Sequence, residues 1–111
     1  LLIDQDIRDV PSVFVPFFGK PAWTPSGAAA ISIRKKCPTI PGLIHRKPDG
    51  THRLIVHPPL EHPTEGSLRD RVTELTAAAT AVIEDHIRAW PEQWVWMHRR
   101  WRRQPPSPDA D

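Results

Sequence analysis

Hydrophobic and polar positions divide the chain into short apolar blocks separated by proline-rich breaks. Leu1-Leu2-Ile3 opens it and reads as a buried strand, followed by a polar turn from Asp6 to Ser12. Val13-Phe14-Val15-Pro16-Phe17-Phe18 is β-branched and aromatic, which predicts a second strand. Pro16 lacks a ladder donor and confines that strand to an edge, a bulge or an irregular crossing, and Gly19-Lys20-Pro21 closes it. Thr24-Pro25 then supplies an N-cap and a first helical position for a helix over 28–36, whose small residues at 27–30 suit close approach to a sheet. Arg34, Lys35 and Lys36 complement its C-terminal dipole.

Pro38 ends that helix, and Cys37 before it reads as a small buried filler. Thr39 to Arg46 and Thr51 to His57 are extended and apolar on either side of Lys47-Pro48-Asp49-Gly50, which predicts a hairpin. Beyond Pro58-Pro59, the three- and four-residue steps of Val72, Leu75, Ala79, Val82, Ile83, Ile87 and Trp90 predict one amphipathic helix from about Ser67 to Trp90. Ser67 and Asp70 resemble a capping arrangement, and Glu84 and Arg88 are placed for an i,i+4 pair. Pro91 breaks this helix, and residues 104–111 read as a disordered, proline-rich tail. The order of elements is mixed α/β: a partial mixed sheet with flanking helices, incomplete at its N-terminal side.

With 111 residues there is room for one small domain. No apolar run approaches the roughly 20 residues of a spanning helix, and one cysteine allows no internal disulfide, which favours a reducing, cytoplasm-facing setting. The absence of an initiator methionine before an apolar strand predicts a piece of a larger protein. The net charge of +2 is local, because residues 1–98 are formally neutral and the excess comes from Arg99, Arg100, Arg102 and Arg103. Beside Trp94, Trp96 and Trp101 these arginines suit phosphate, anionic lipid or an acidic protein; they equally suit a solvated face over core tryptophans.

Catalytic signatures are missing. The six histidines have no zinc spacing, the five glycines are too scattered for a phosphate loop, and no nucleophile elbow occurs, so no metal or cofactor is implied. Asp4-Gln5-Asp6, at the end of the predicted first strand, occupies a position where α/β sheets place binding sites, although turn chemistry accounts for it as well. Arg46, also after a strand, fits an anion contact or a plain hairpin surface.

Several of these blocks occur together in an order that resembles the C-terminal half of the bacterial lipid A biosynthesis acyltransferases, the lauroyl/myristoyl transferase family. They are Asp4-Gln5, Val13 to Gly19, Ala22-x-Thr24-x-x-Gly27-x-Ala29, Ile40-Pro41, Arg46, and Pro91-Glu92-Gln93-Trp94-x-Trp96-x-His98-Arg99-Arg100-Trp101. The resemblance implies that residues 1–103 are the C-terminal part of a glycerolipid-acyltransferase-like domain at the cytoplasmic face of the inner membrane. It implies transfer of a fatty acyl chain from acyl carrier protein to a hydroxyl of a phosphorylated, Kdo-bearing lipid A precursor, with membrane lipids as further partners and no nucleic acid.

The family's His-x-x-x-x-Asp/Glu pair is not found here. The residues five after each histidine are Gly50, His57, His62, Ser67, Pro91 and Arg103, so the segment alone is expected to be inactive, with the pair upstream. Within the segment the resemblance points to substrate binding by Asp4, Gln5, Phe18, Gly19, Arg46, Arg99, Arg100 and Trp101. Asp4 and Gln5 would line the acceptor or acyl pocket beside the Phe17-Phe18-Gly19 loop, the arginines would hold phosphate, Kdo carboxylate or acyl carrier protein, and the C-terminal indoles would meet the membrane. Trp23 and Ile31-Ser32-Ile33 depart from the family pattern. A different class of function, a basic-aromatic module binding nucleic acid or an acidic partner through Trp94, Trp101 and the arginines, would give steeply salt-dependent binding.

Overall fold

The computed structural model describes residues 1–95 and 97–106. Its elements are β1 (Ser12–Phe17), β2 (Lys20–Pro25), α1 (Gly27–Lys35), β3 (Gly42–Arg46), β4 (His52–Val56), α2 (Leu68–Ala89) and a 3-10 turn, Pro91–Gln93. The α/β content agrees with the sequence pattern, but the sheet does not. Instead of one partial mixed sheet there are two separate antiparallel ribbons, β1–β2 and β3–β4. Each is a local hairpin, the pairing with the shortest chain to close.

The first hairpin turns through Phe18 and Gly19, both with positive φ (51° and 78°). This is the handedness a two-residue hairpin turn requires, and glycine adopts it freely whereas phenylalanine does not. Three contacts hold Phe18 there. Its N–H donates to Glu84 Oε1 at 2.7 Å, Arg88 lies 4.9 Å over its ring, and its ring meets Phe17 edge-on at 4.7 Å. Pro16 faces Pro21 across the ribbon. That pair comes next after the turn-flanking Phe17 and Lys20, where backbone N–H groups point away from the partner strand, so the two prolines remove no bond between the strands.

Alternation along β1 buries Val13, Val15 and Phe17. Phe17 forms one apolar cluster with Ala22 and Ile87, flanked by Phe18, Ile83, Trp94 and Trp101. A second cluster joins α1 to α2 through Ala29, Ile33, Val72 and Leu75. The small residues at the start of α1 thus serve helix-on-helix packing and not the expected sheet contact. As its pattern predicts, α2 is capped by Ser67, whose hydroxyl accepts the Asp70 N–H at 3.1 Å, and it carries the Glu84–Arg88 pair at 3.4 Å. Thr76 and Thr80 are buried on the same face as the expected apolar residues.

Three local expectations are corrected. Leu1-Leu2-Ile3 is not a strand: no described strand lies beside it to complete a ladder, and Leu1 and Leu2 are 90% and 83% exposed. Thr24 is no helix cap but a fully buried member of β2, its hydroxyl donating to Ala22 O at 2.9 Å, and Pro25 is the last residue of that strand. Ser26 takes the N-cap position with no side-chain bond, and the helix starts at Gly27. Cys37 is exposed and free instead of buried, because Lys36 takes a left-handed turn (φ 54°) that carries the chain off the helix. The expected tail falls largely on residues 107–111, outside the described residues.

Candidate functional site: an apolar trough and two sets of cations

Asp4 lies on the wall of an apolar trough of about 210 Å³. The opening segment Leu1–Asp4, the start of α1, the Thr39–Leu43 run and the middle of α2 supply the walls. Pro25, Ala29, Leu43, Leu75 and Ile83 line it, with Trp94 at the α2 side. Asp4 is half-buried and makes no hydrogen bond or ion pair among the described residues, while its neighbour Gln5 is exposed. The Phe18-Gly19 turn, expected beside Asp4, does not contribute to this trough; it is fastened to α2 through Glu84 and Arg88.

The second concave region surrounds Arg46. His45, Arg46, Lys47, Pro48, Gly50, Trp90, Glu92 and Gln93 enclose a cleft of about 430 Å³ at the end of the β3–β4 ribbon. Gln93 attaches the ribbon here. Its Oε1 accepts the Arg46 N–H at 2.8 Å and its Nε2 donates to Arg46 O at 2.9 Å, a side chain imitating a neighbouring strand. The His45 ring stacks on Trp90 with centroids 4.0 Å apart, and His86 Nε2 lies 3.1 Å from Ile44 O. With its backbone fixed in this way, the exposed Arg46 guanidinium stays free of ion pairs beside Lys47.

The C-terminal arginines behave differently from one another. Arg100 is 2% exposed. It donates from Nη1 to Trp23 O at 2.7 Å and from Nη2 to the Thr24 hydroxyl, and it lies 5.5 Å over the Phe17 ring. Burial lowers its pKa from the ordinary arginine value, against the opposing fields of Asp6 and Asp4, and at neutral pH it remains charged. Arg102 reaches Asp6 Oδ1 at 3.3 Å, the Arg103 N–H donates to the other Asp6 oxygen at 3.3 Å, and the Arg103 guanidinium lies 5.2 Å over Trp23. The Asp6 N–H donates to His98 Nε2 at 3.0 Å. Arg99 alone of the four is exposed with no partner among the described residues.

Arg99 and Arg100, expected as a pair, are therefore not equivalent in the fold. The two point into different surroundings, and Arg100 is occupied by backbone and hydroxyl oxygens of β2. Trp101 is likewise taken up in packing: its Nε1–H donates to Phe17 O at 3.2 Å and its ring lies 5.2 Å from Phe17. Trp94 sits 6.0 Å from the same ring. These two indoles brace the first hairpin, and Trp96 lies outside the described residues. The residue that sequence reasoning undervalued is Asp6, a buried carboxylate holding the C-terminal segment; its signal was four arginines in five positions with no acid between Glu92 and Asp109.

Among the described residues no histidine forms an ion pair with a carboxylate, and no helix is long and apolar enough to cross a membrane.

Comparison with known proteins places this geometry in context. The model of the family described as bacterial lipid A biosynthesis acyltransferase matches residues 1–103. A lipid A biosynthesis lauroyltransferase of Escherichia coli (strain K12) is 37% identical over 105 residues, covering 92% of this chain and 33% of its own length. A lipid A biosynthesis palmitoleoyltransferase of the same strain and a lipid A biosynthesis acyltransferase of Shigella flexneri are each 30% identical over 105 residues, covering 92% of this chain and 32% of their own. The chain thus spans about a third of the length of the curated relatives it matches.

Proposed function

Since the chain belongs to the bacterial lipid A biosynthesis acyltransferase family, we propose that the intact protein moves a fatty acyl chain from acyl carrier protein to a hydroxyl of a phosphorylated, Kdo-bearing lipid A precursor. The reaction would take place at the cytoplasmic face of the inner membrane. The observation that carries this reading is the family match running through all the blocks from Asp4 to Arg103. The geometry is in keeping with it: an apolar trough for aliphatic groups and, apart from it, free cations for an anionic headgroup.

In this reading the chain binds and positions, and the catalytic pair is supplied from outside these residues. A histidine taking the proton of the acceptor hydroxyl needs a carboxylate to orient and support its imidazolium. None of the described histidines has one. Of the arginines expected to bind substrate, Arg46 and Arg99 are those whose guanidinium makes no ion pair or hydrogen bond among the described residues, and they would serve phosphate, Kdo carboxylate or the acidic surface of acyl carrier protein. Asp4 borders the aliphatic site, with Gln5 next to it. Arg100, Trp101, Phe18 and Gly19 act on substrate indirectly, by holding the first hairpin in shape.

The basic-aromatic nucleic-acid module has less in its favour, because Arg100 and Arg102 are engaged within the fold and Trp94 and Trp101 are packed on Phe17. The test is direct. The intact protein, given radiolabelled acyl-acyl carrier protein and a phosphorylated, Kdo-bearing lipid A precursor, should yield a more highly acylated product, and the 111-residue chain by itself should yield none. Failure of the intact protein to acylate any phosphorylated glycolipid acceptor would reject the proposal.

A further inference from the structure

The cleft at the end of the β3–β4 ribbon has two walls from distant parts of the chain. The ribbon supplies one, with Arg46 and Lys47, and the segment after α2 supplies the other, with Trp90, Glu92 and Gln93. Among the described residues, every hydrogen bond between the two walls is made by one side chain, that of Gln93. Its Oε1 accepts the Arg46 N–H at 2.8 Å, and its Nε2 donates to Arg46 O at 2.9 Å and lies 3.1 Å from His45 Nδ1. An amide nitrogen only donates, so His45 Nδ1 accepts; reversing the amide would set donor against donor and acceptor against acceptor.

Gln93 is exposed, so these bonds compete with water and add little to stability. Their effect is to set the distance between the walls. Arg46, Lys47 and Glu92 are exposed and form no ion pair among the described residues. Two cations on one wall outweigh the single carboxylate on the other, which favours an anion, while Glu92 suits the hydroxyls of a sugar. The cleft of about 430 Å³ has the size of a small-molecule site. A helix of a partner protein, roughly 10 Å across, is too wide for it.

We infer that Gln93 is a positioning residue: by joining the two walls it holds Arg46 where its guanidinium meets the anionic group of a sugar seated in the cleft. The ligand class is a hydroxylated sugar carrying a phosphate or carboxylate, as opposed to a bare anion or an acidic protein. This deepens the acyl-transfer reading, on which it rests for the glycolipid nature of the ligand, by assigning the headgroup to this cleft. Phosphate and carboxylate share the chemistry that Arg46 recognises, and the probes below separate them.

The probes are glucose 6-phosphate, glucuronate, inorganic phosphate and glucose, each titrated into the intact protein with binding read from the indole NMR signal of Trp90. One or both charged sugars should bind, and inorganic phosphate and glucose more weakly. Preference for glucose 6-phosphate identifies a phosphate ligand and preference for glucuronate a carboxylate. Gln93→Met, which keeps the length of the side chain and removes its hydrogen bonds, should weaken the preferred probe about fivefold. Arg46→Ala should weaken it about tenfold. Because Gln93 acts through Arg46, the double variant should be no weaker than about tenfold.

Equal binding by wild type and Gln93→Met would overturn the inference, as would glucose or inorganic phosphate binding as tightly as the charged sugars. So would a double variant weakened about fiftyfold, the product of two independent losses. A merely structural brace would lower the melting temperature of Gln93→Met and leave the Arg46→Ala loss the same in both backgrounds. The two proposals fail separately. Gln93-dependent binding of a charged sugar without acyl transfer would leave this site standing and remove the proposed reaction, whereas transfer without such binding would remove only this site.

Discussion

The two hairpins have nearly the same length and similar apolar content, yet they are used in opposite ways. In β1–β2, Val15 and Phe17 are 1% exposed and Ala22 is fully buried. In β3–β4, Ile44, Leu54 and Val56 are 62–64% exposed. The difference lies in what reaches them from a distance. Glu84 fixes the turn of the first ribbon, Arg100 binds the end of its second strand, and Trp101 caps the Phe17 carbonyl. The second ribbon is held mainly at one end, by Gln93 and the stack of His45 on Trp90. An apolar alternation identifies a strand, but distant side chains decide whether it becomes core. The ribbon tied at its turn and along its second strand gives the fold its centre, and the one tied through the Arg46 backbone leaves the Arg46 side chain exposed.

The sharpest way to break this comparison is to remove the tie on the first ribbon. Arg100→Ala deletes a buried cation and strips Trp23 O and Thr24 of donors, which should cost about 3 kcal/mol of stability by denaturant titration. Arg99→Ala, one residue away and exposed, should change stability by less than about 0.5 kcal/mol. Next comes Asp6→Asn, which weakens the hold on Arg102 and on the Arg103 N–H. Because Arg102 is partly exposed, the expected loss is about 1–2 kcal/mol, with faster amide exchange at Arg103. In the second ribbon, Gln93→Ala should cost about 1 kcal/mol and raise hydrogen exchange at the Arg46 amide while leaving that of Val15 unaffected.

The smallest effect concerns the turn of the second ribbon. The Asp49 carboxylate accepts from the Thr51 hydroxyl at 2.6 Å and the Thr51 N–H at 2.9 Å, and these bonds, the hydroxyl's first, hold its pKa below the ordinary aspartate value. A carboxylate depressed in the folded state adds stability above its unfolded pKa and loses it as pH falls through the folded one. The Thr51 amide should therefore shift and exchange faster only below about pH 4, and Asp49→Asn should reduce that acid response.

Local order was readable from sequence wherever it depended on residues close together. The Ser67 cap, the period of α2, the Lys47–Gly50 turn and the edge character imposed by Pro16 all follow from neighbours within a few positions, and all are present. Contacts between distant positions were not readable. Asp6 and Arg102 are 96 residues apart, so from sequence four clustered arginines suited an anion-binding surface and a solvated face equally, whereas three of them are engaged within the fold. The Thr24-Pro25 cap failed for a related reason: the Thr24 hydroxyl meets Arg100, 76 positions later, and pairing with Ser12 and Val13 carries the chain through as strand. Of the candidate site residues, Asp4 and Arg46 occupy concave regions, yet the trough itself arises from four separate stretches of chain and has no local signature.

The central claim is a division of labour among cations, with Arg100 serving the fold and Arg46 serving the substrate. The most direct measurement is the KM of the intact Arg46→Ala protein for the phosphorylated acceptor, determined beside its melting temperature. The account predicts a KM raised about tenfold, as expected for loss of a charge-assisted contact, with the melting temperature within a degree or two of wild type. An unchanged KM, or a raised KM accompanied by a large fall in melting temperature, would contradict it.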